Sequence, residues 1–186
     1  MQHSKIINKV FEISRKGIDV KVFEDIYIKY KVDVYRFLCK LTGYRYDLSE
    51  ELLQETFYQA FISFNRFRGE CEIKTWICQI AKNSYYSYIR NEIKKEKLTV
   101  KMVKDEEAND FTEQTEKKEL VQNIHKIMED FDERTKNIVL YRMYADLKFS
   151  EISNLIGISE SSAKVIYSRS KIKIREQLKE RYGYEI

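Results

Sequence analysis

Small, hydroxyl-bearing and basic side chains recur at helical spacing near the carboxyl end of the chain. Residues 149–175 read FSEISNLIGISESSAKVIYSRSKIKIR, which predicts a short helix, a turn at Gly157 and a second helix that Ser159 caps. The side chains expected to face outward on the second helix are Ser161, Lys164, Val165, Ser168 and Lys171, with Arg169 at the edge. This short, polar and basic face is typical of a helix-turn-helix that reads the major groove of DNA. The alternative is a plain helical hairpin with a solvated lysine face.

A second set of side chains, in the first half of the chain, combines amides, an aromatic ring and cations. Four of them recur at three- and four-residue spacing and therefore share one helical face: Gln79, Asn83, Tyr86 and Arg90. Lys82 lies beside this face. Amides can contact base edges, a ring can stack on a base, and cations can contact phosphates, which are the requirements for binding single-stranded DNA.

A third set combines acids, an amide and one aromatic ring. It consists of Glu51, Gln54, Glu55 and Tyr58. These residues lie opposite an apolar stripe formed by Leu53, Phe57, Phe61 and Phe64. Such a face is unsuited to phosphate and suited to another protein, and the alternative is an ordinary solvated helix face.

The elements that position these side chains are predicted to be helices throughout. The 186 residues include no proline and five glycines, and both residue types are poorly tolerated inside helices. Apolar periodicity predicts helices over about 20–43, from Asp47 onward, and over about 72–95. In the second helix of the carboxyl-terminal pair, the positions expected to face inward are Ala163, Ile166, Ser170 and Ile174.

The periodicity divides the chain into an all-α arrangement of two small domains. We expect an N-terminal extension over 1–19, helical in character, and a first domain over 20–97. Residues 98–118 lose the apolar period and are acidic, which predicts a flexible linker. A second domain, which carries the helix-turn-helix, follows over 119–186.

Composition excludes several functional classes. Cys39, Cys71 and Cys78 form no CxxC pair, and His3 and His125 are the chain's histidines, so we expect reduced thiols and no metal site. The sequence shows no glycine-rich phosphate loop and no nucleophile–base motif, so we expect neither a cofactor nor an enzymatic activity. No apolar run reaches the ~18–20 residues of a membrane span and no signal peptide is evident, which predicts a cytoplasmic protein without direct membrane insertion.

Two blocks of the sequence resemble one known family. Residues 49–90, SEELLQETFYQAFISFNRFRGECEIKTWICQIAKNSYYSYIR, resemble region 2 of sigma-70-family factors of the extracytoplasmic-function (ECF) group. Residues 132–159, DERTKNIVLYRMYADLKFSEISNLIGIS, followed by Lys164, Ser168 and Arg169, resemble region 4 of the same group. The first block matches at Glu51, Leu52, Gln54, Glu55, Phe57, Phe67, Arg68, Gly69, Thr75, Trp76, Ile80, Ala81, Asn83 and Arg90.

The sequence departs from the family pattern at three places in the second block. Phe131-Asp132 stands where the family usually has Leu-Pro, and Ile166 stands at a commonly basic position. The recognition helix opens with Ser161-Ser162-Ala163 rather than Gly-Thr-Val. These changes leave the expected fold intact and prevent the promoter sequence from being carried over.

The resemblance implies a subunit that binds core RNA polymerase, directs it to promoter DNA and opens the downstream element. It assigns polymerase binding to Glu51, Gln54, Glu55 and Tyr58. It assigns the downstream element to Trp76, Gln79, Lys82, Asn83, Tyr86 and Arg90. It assigns the upstream element to Ser161, Ser162, Lys164, Val165, Ser168, Arg169 and Lys171. For Trp76 two interpretations stay open, a core-edge side chain or a stacking surface at the melted junction.

Two other functions, a transcriptional repressor and an enzyme, compete with the one that the resemblance implies. A stand-alone helix-turn-helix repressor normally dimerises, and no spare apolar helix is left to form a dimer interface. An enzyme is the other rival, and the sequence shows none of the motifs that an enzyme would need. Because no long appended regulatory domain follows the second block, the resemblance implies control by a separate anti-sigma factor, free or membrane-anchored.

Overall fold

The computed structural model describes residues 20–99 and 114–184. All regular elements in these two ranges are helical, which confirms the predicted all-α class. The first range forms α1 (Val20–Leu41), α2 (Tyr46–Ser63), a 3₁₀ turn (Phe64–Arg66) and α3 (Ile73–Thr99). The second range forms α4 (Gln114–Glu129), α5 (Glu133–Val139), a π-helical turn (Leu140–Tyr144), α6 (Phe149–Ile156) and α7 (Glu160–Tyr182).

Helices α1, α2 and α3 pack together into the first helical unit. Its buried apolar residues include Phe23, Val34, Phe37, Leu38, Leu41, Leu52, Phe57, Phe61, Ile77 and Ala81. The ring of Phe23 lies edge-on to that of Phe61, with centroids 5.0 Å apart. Edge-to-face packing of this kind suits the ring quadrupoles and stabilises the contact between α1 and α2.

The start of α2 and its buried face differ slightly from the sequence expectation. The helix begins at Tyr46, and the flanking Arg45 makes no side-chain capping bond. The Ser49 hydroxyl donates instead to the Arg45 carbonyl oxygen over 2.8 Å. Leu52 is buried where Leu53, only half-buried, was expected to lead the stripe. The shift arises because α1 and α3 cover α2 from two sides, so the apolar stripe is wider than one row of residues.

Helices α4 to α7 form the second helical unit, and polar caps and a glycine define the ends of these helices. Asp132 accepts from the Thr135 amide over 3.0 Å at the start of α5, and Ser159 accepts from the Ser162 amide over 3.1 Å at the start of α7. Gly157 ends α6 in the left-handed conformation with φ of 72°, which residues with a β-carbon adopt at a cost. Gly157 and the Ser159 cap together define the turn between α6 and α7.

The inward face of α7 follows the predicted spacing. Ala163, Ser170 and Ile174 are buried and Ile166 is half-buried. Because these four positions recur at three- and four-residue steps, they form one row against α5 and α6. The opposite row of α7 is therefore left to solvent.

The two helical units pack against each other and share a continuous apolar core. The division into two domains, over 20–97 and 119–186, stays a prediction. Helix α4 begins at Gln114, inside the predicted linker over 98–118, and α3 runs to Thr99. The rest of that linker and the expected N-terminal extension over 1–19 lie outside the described residues. No helix in the described ranges is long and apolar enough to cross a membrane.

Candidate nucleic-acid and protein interfaces

The upstream-element residues lie together on the solvent face of α7. All seven are exposed: Ser161, Ser162, Lys164, Val165, Ser168, Arg169 and Lys171. Val165 keeps 48% of its surface accessible although it is apolar. An exposed β-branched side chain among hydroxyls and cations is suited to contact a thymine methyl group.

One ion pair must be exchanged before Lys164 can contact DNA. Its Nζ lies 2.6 Å from the Glu160 carboxylate, one helical turn earlier. Both side chains are about half exposed, so solvent screens the pair, and such surface pairs contribute ~0.2–1 kcal/mol. A phosphate or a guanine edge can therefore displace Glu160 at little cost.

The predicted DNA-binding face of α3 is split between solvent and the second helical unit. Asn83 and Arg90 are exposed, whereas Gln79, Lys82 and Tyr86 are half-buried. The sequence places these five residues on one face, but only part of that face meets solvent. Within the half-buried part, Lys82 contacts α5 and the π-helical turn.

Lys82 is held by two residues of the second unit. Its Nζ donates to Asn137 Oδ1 over 2.8 Å and lies 5.2 Å from the centroid of the Tyr141 ring. Burial lowers the pKa of Lys82, and the charge of Glu133 opposes that shift only in part. Sequence reasoning missed Asn137 and Tyr141, since no local pattern marks a residue that meets another helix 55 positions away.

Tyr86 lies next to Lys82 at the same boundary. The Lys82 Nζ is 6.0 Å from the centroid of its ring. Burial, followed by the negative charge of Glu133, raises the pKa of Tyr86 to about 12, so the phenol is neutral at physiological pH. A neutral ring can stack on a base without repelling the phosphate backbone.

Trp76 belongs to an aromatic cluster at the loop that precedes α3. Its ring lies 5.1 Å from that of Phe67 and 6.2 Å from that of Phe64. The side chain is half-buried. Beside it, Arg68 is strongly exposed and Gly69 has a φ of 73°. Trp76 therefore lies at the edge of the core, where one part of the ring packs and another remains accessible.

The third face lies on α2, away from the core. Glu51, Gln54 and Glu55 are exposed, and Tyr58 is half-buried. Glu55 accepts a hydrogen bond from Gln59 Nε2 over 2.7 Å. The exposed acids and amide form a surface on which a partner protein could dock without displacing any buried contact.

The described residues hold no group of three or more His, Cys, Asp or Glu side chains that could bind a metal ion. His125 is buried, and burial lowers the pKa of its imidazole to about 4. Its ring packs 5.6 Å from that of Tyr144 and makes a hydrogen bond with the backbone of Lys40. His125 is therefore a packed interior residue of the contact between the two units.

Residues 26–94 match the protein-family model of sigma-70 region 2. The chain is 27% identical over 152 residues to the ECF RNA polymerase sigma factor SigM of Bacillus subtilis, covering 82% of this chain and 92% of that protein. It is 21% identical over 162 residues to the RNA polymerase sigma factor YlaC of the same organism, covering 83% and 91%.

Solved structures resemble the fold over most of its length. The sigma factor RpoE of Bartonella quintana, solved in complex with the anti-sigma factor NepR, gives a TM-score of 0.64 at 16% identity, covering 87% of this chain and 99% of that one. CnrH, solved in complex with the cytosolic domain of CnrY, gives 0.63 at 12% identity, covering 87% and 90%. At these identities the likeness concerns the fold.

Proposed function

We propose that this chain, which belongs to the ECF group of sigma-70 factors, is a promoter-specificity subunit of RNA polymerase. It binds the core enzyme, directs it to promoters and assists strand opening as a transcription initiation factor. The observation that carries this function is the presence, in one chain, of a region 2 match over 26–94 and of a basic, exposed recognition helix at α7. A stand-alone repressor would need the recognition helix but would have no use for region 2.

The three faces described above receive three roles in this function. The exposed acids and amide of α2 dock on the polymerase. The face of α3 that contains Asn83 and Tyr86, with Trp76 at its edge, captures the unpaired strand of the downstream element. The outer row of α7 reads the upstream element in the major groove, with Lys164 and Arg169 contacting phosphate or guanine and Ser168 a base edge.

The proposed partners are therefore core RNA polymerase, promoter DNA and an anti-sigma factor. Both solved structures described above are complexes, with the anti-sigma factor NepR in the first and with the cytosolic domain of CnrY in the second. The same type of partner suits this chain because its polymerase-facing surface is polar and open. The function requires a location in the cytoplasm, where the polymerase acts.

Run-off transcription with purified core polymerase tests this function. We expect new start sites when the chain is added. Lys164→Ala should reduce transcription from those sites. If the lost contact is bidentate to guanine, the free energy of promoter binding should weaken by about 1–3 kcal/mol. Lys179→Ala, an exposed cation near the end of the same helix, is the matched control and should leave transcription unchanged. An absence of new start sites with active core enzyme would contradict the function.

A further inference from the structure

A cleft separates the start of α5 from one flank of α7. Its volume is about 290 Å³, and its lining includes Phe131, Asp132, Ile166, Arg169 and Lys173. Two of the three departures from the family pattern, at 131–132 and at 166, therefore meet beside the recognition helix. Arg169 belongs both to this cleft and to the upstream-element residues, so the cleft adjoins the face that is expected to read DNA.

Lys173 is held at the cleft by an aromatic ring. Its Nζ lies 4.9 Å from the centroid of the Phe131 ring, and Phe131 is buried whereas Lys173 is exposed. A ring attracts an ammonium group through its quadrupole and adds no negative charge. No ion pair of the described residues includes Lys173, whereas Lys164 is paired with Glu160. The ammonium group of Lys173 is thus oriented without being neutralised.

Both acids that line the cleft are engaged by other groups. The Asp130 carboxylate lies 3.3 Å from Arg181 Nη2. Asp132 accepts from the Thr135 amide over 3.0 Å and from the Thr135 hydroxyl over 2.7 Å. The charge of Lys173 consequently remains available to an anion that approaches from solvent.

Arg169 and Lys173 lie one helical turn apart on the same flank of α7. Four residues advance a helix by about 6 Å, so the two cations follow each other along the helix axis. A helix with its side chains is about 10–12 Å wide, and the major groove of B-DNA is about 12 Å wide. When the row that contains Val165 faces base edges, this flank therefore faces the phosphates that border the groove.

We propose that Lys173 binds a backbone phosphate of the upstream element next to Arg169, and that the Phe131 ring positions its ammonium group for this contact. The proposal rests on the proposed function, because it adds a site for duplex phosphate to the recognition helix. Lys173 binds without exchanging an ion pair, in contrast to Lys164. The contact strengthens binding to every upstream sequence alike, since phosphates carry no sequence information.

Binding of promoter duplex by the reconstituted holoenzyme tests the contact. The probes are fluorescein-labelled duplexes that span a start site found by run-off transcription, with and without single base-pair changes in the upstream element. Lys173→Met should lower the slope of log affinity against log salt by about 0.9, so its loss of affinity is about 3.5-fold larger at about 50 mM than at about 200 mM salt. Lys179→Met removes the same charge from an exposed position of α7 and should keep the wild-type slope.

The role of Phe131 needs a readout that lost packing alone would not change. Phe131→Leu should weaken promoter binding about two- to tenfold, which is the effect of ordering one free lysine side chain at an interface. Phe131→Tyr keeps the ring and should bind as the wild type does. Combined with Lys173→Met, Phe131→Leu should cause no further loss, because the ring acts through Lys173.

Three results would overturn the proposal. The first is an equal salt slope in Lys173→Met and Lys179→Met. The second is a loss in Lys173→Met that is confined to one upstream sequence, which would place the lysine on a base edge. The third is an effect of Phe131→Leu that persists in full in the Lys173→Met background.

The Lys173 variant stays decisive where Phe131→Leu fails to fold by circular dichroism, because Lys173 is exposed. Run-off transcription separates this proposal from the function on which it rests. An absence of new start sites rejects the function and the contact with it. New start sites together with an unchanged salt slope reject the phosphate contact alone.

Discussion

Removing the ring of Tyr86 should slow promoter opening while polymerase recruitment continues. The perturbation is Tyr86→Ala, and Tyr86→Phe is its matched control, because phenylalanine keeps the ring and loses only the hydroxyl. The ring is half-buried at the boundary with the second unit, beside Lys82 and within reach of the charge of Glu133. Under the proposed function it stacks on an unpaired base.

The magnitude follows from stacking. Unstacking a base costs a few kcal/mol, and one stacked aromatic side chain returns about 1–3 kcal/mol. If that interaction is made only with the melted strand, its loss raises the barrier or the free energy of opening by the same amount. The opening rate should then fall roughly 5- to 160-fold. The phenylalanine variant should stay within about twofold of the wild type, since the Tyr86 hydroxyl is not needed for stacking.

Permanganate footprinting of unpaired thymines measures opening, and transcription from a pre-melted bubble template isolates it. We expect Tyr86→Ala to give weak footprints on duplex promoters and near-normal transcription from the bubble. Normal footprints on duplex DNA would refute the assignment of the ring to strand capture. Failure on the bubble as well would place the defect in folding or in polymerase binding instead.

Three other perturbations follow from single residues of the structure. Gln54→Ala combined with Glu55→Arg should weaken co-purification with core polymerase at unchanged circular dichroism, because both side chains are exposed; unchanged co-purification would remove this face from the polymerase contact. Asp132→Ala should lower the free energy of unfolding by about 1 kcal/mol through loss of the α5 cap. Hydrogen bonds from Thr135 hold the pKa of Asp132 below its ordinary value. The stability difference between the wild type and Asp132→Ala should therefore be full above about pH 4. In urea titrations it should shrink as pH falls through the pKa of Asp132 in the folded chain. Gly157→Ala should cost about 1 kcal/mol by thermal denaturation, since no atom would clash with the added β-carbon and the cost is that of a φ of 72°; a neutral effect would contradict the strain.

Local chemistry was sufficient to predict the helices and the geometry of the helix-turn-helix. The Ser159 cap, the left-handed Gly157 and the inward row beginning at Ala163 each depend on residues within one or two turns, so sequence spacing determines them. The packing of the two units depends on pairs such as Thr75 with Glu151, which are 76 positions apart. No periodicity encodes such a pair, so the contact between the two units could not be predicted from the spacing of residues along the chain.

The same reasoning explains why the face of α3 was predicted as open. A row of amides, a ring and cations indicates that a polar partner covers the helix, but the pattern does not distinguish a DNA strand from another part of the chain. Lys82 needs an acceptor for its ammonium group, and the oxygen of Asn137 satisfies that need as well as a phosphate would. A residue suited to bind nucleic acid is therefore equally suited to anchor a neighbouring helix of its own chain. The residues that contact such a face must be sought among polar side chains distant in sequence, as Asn137 is from Lys82.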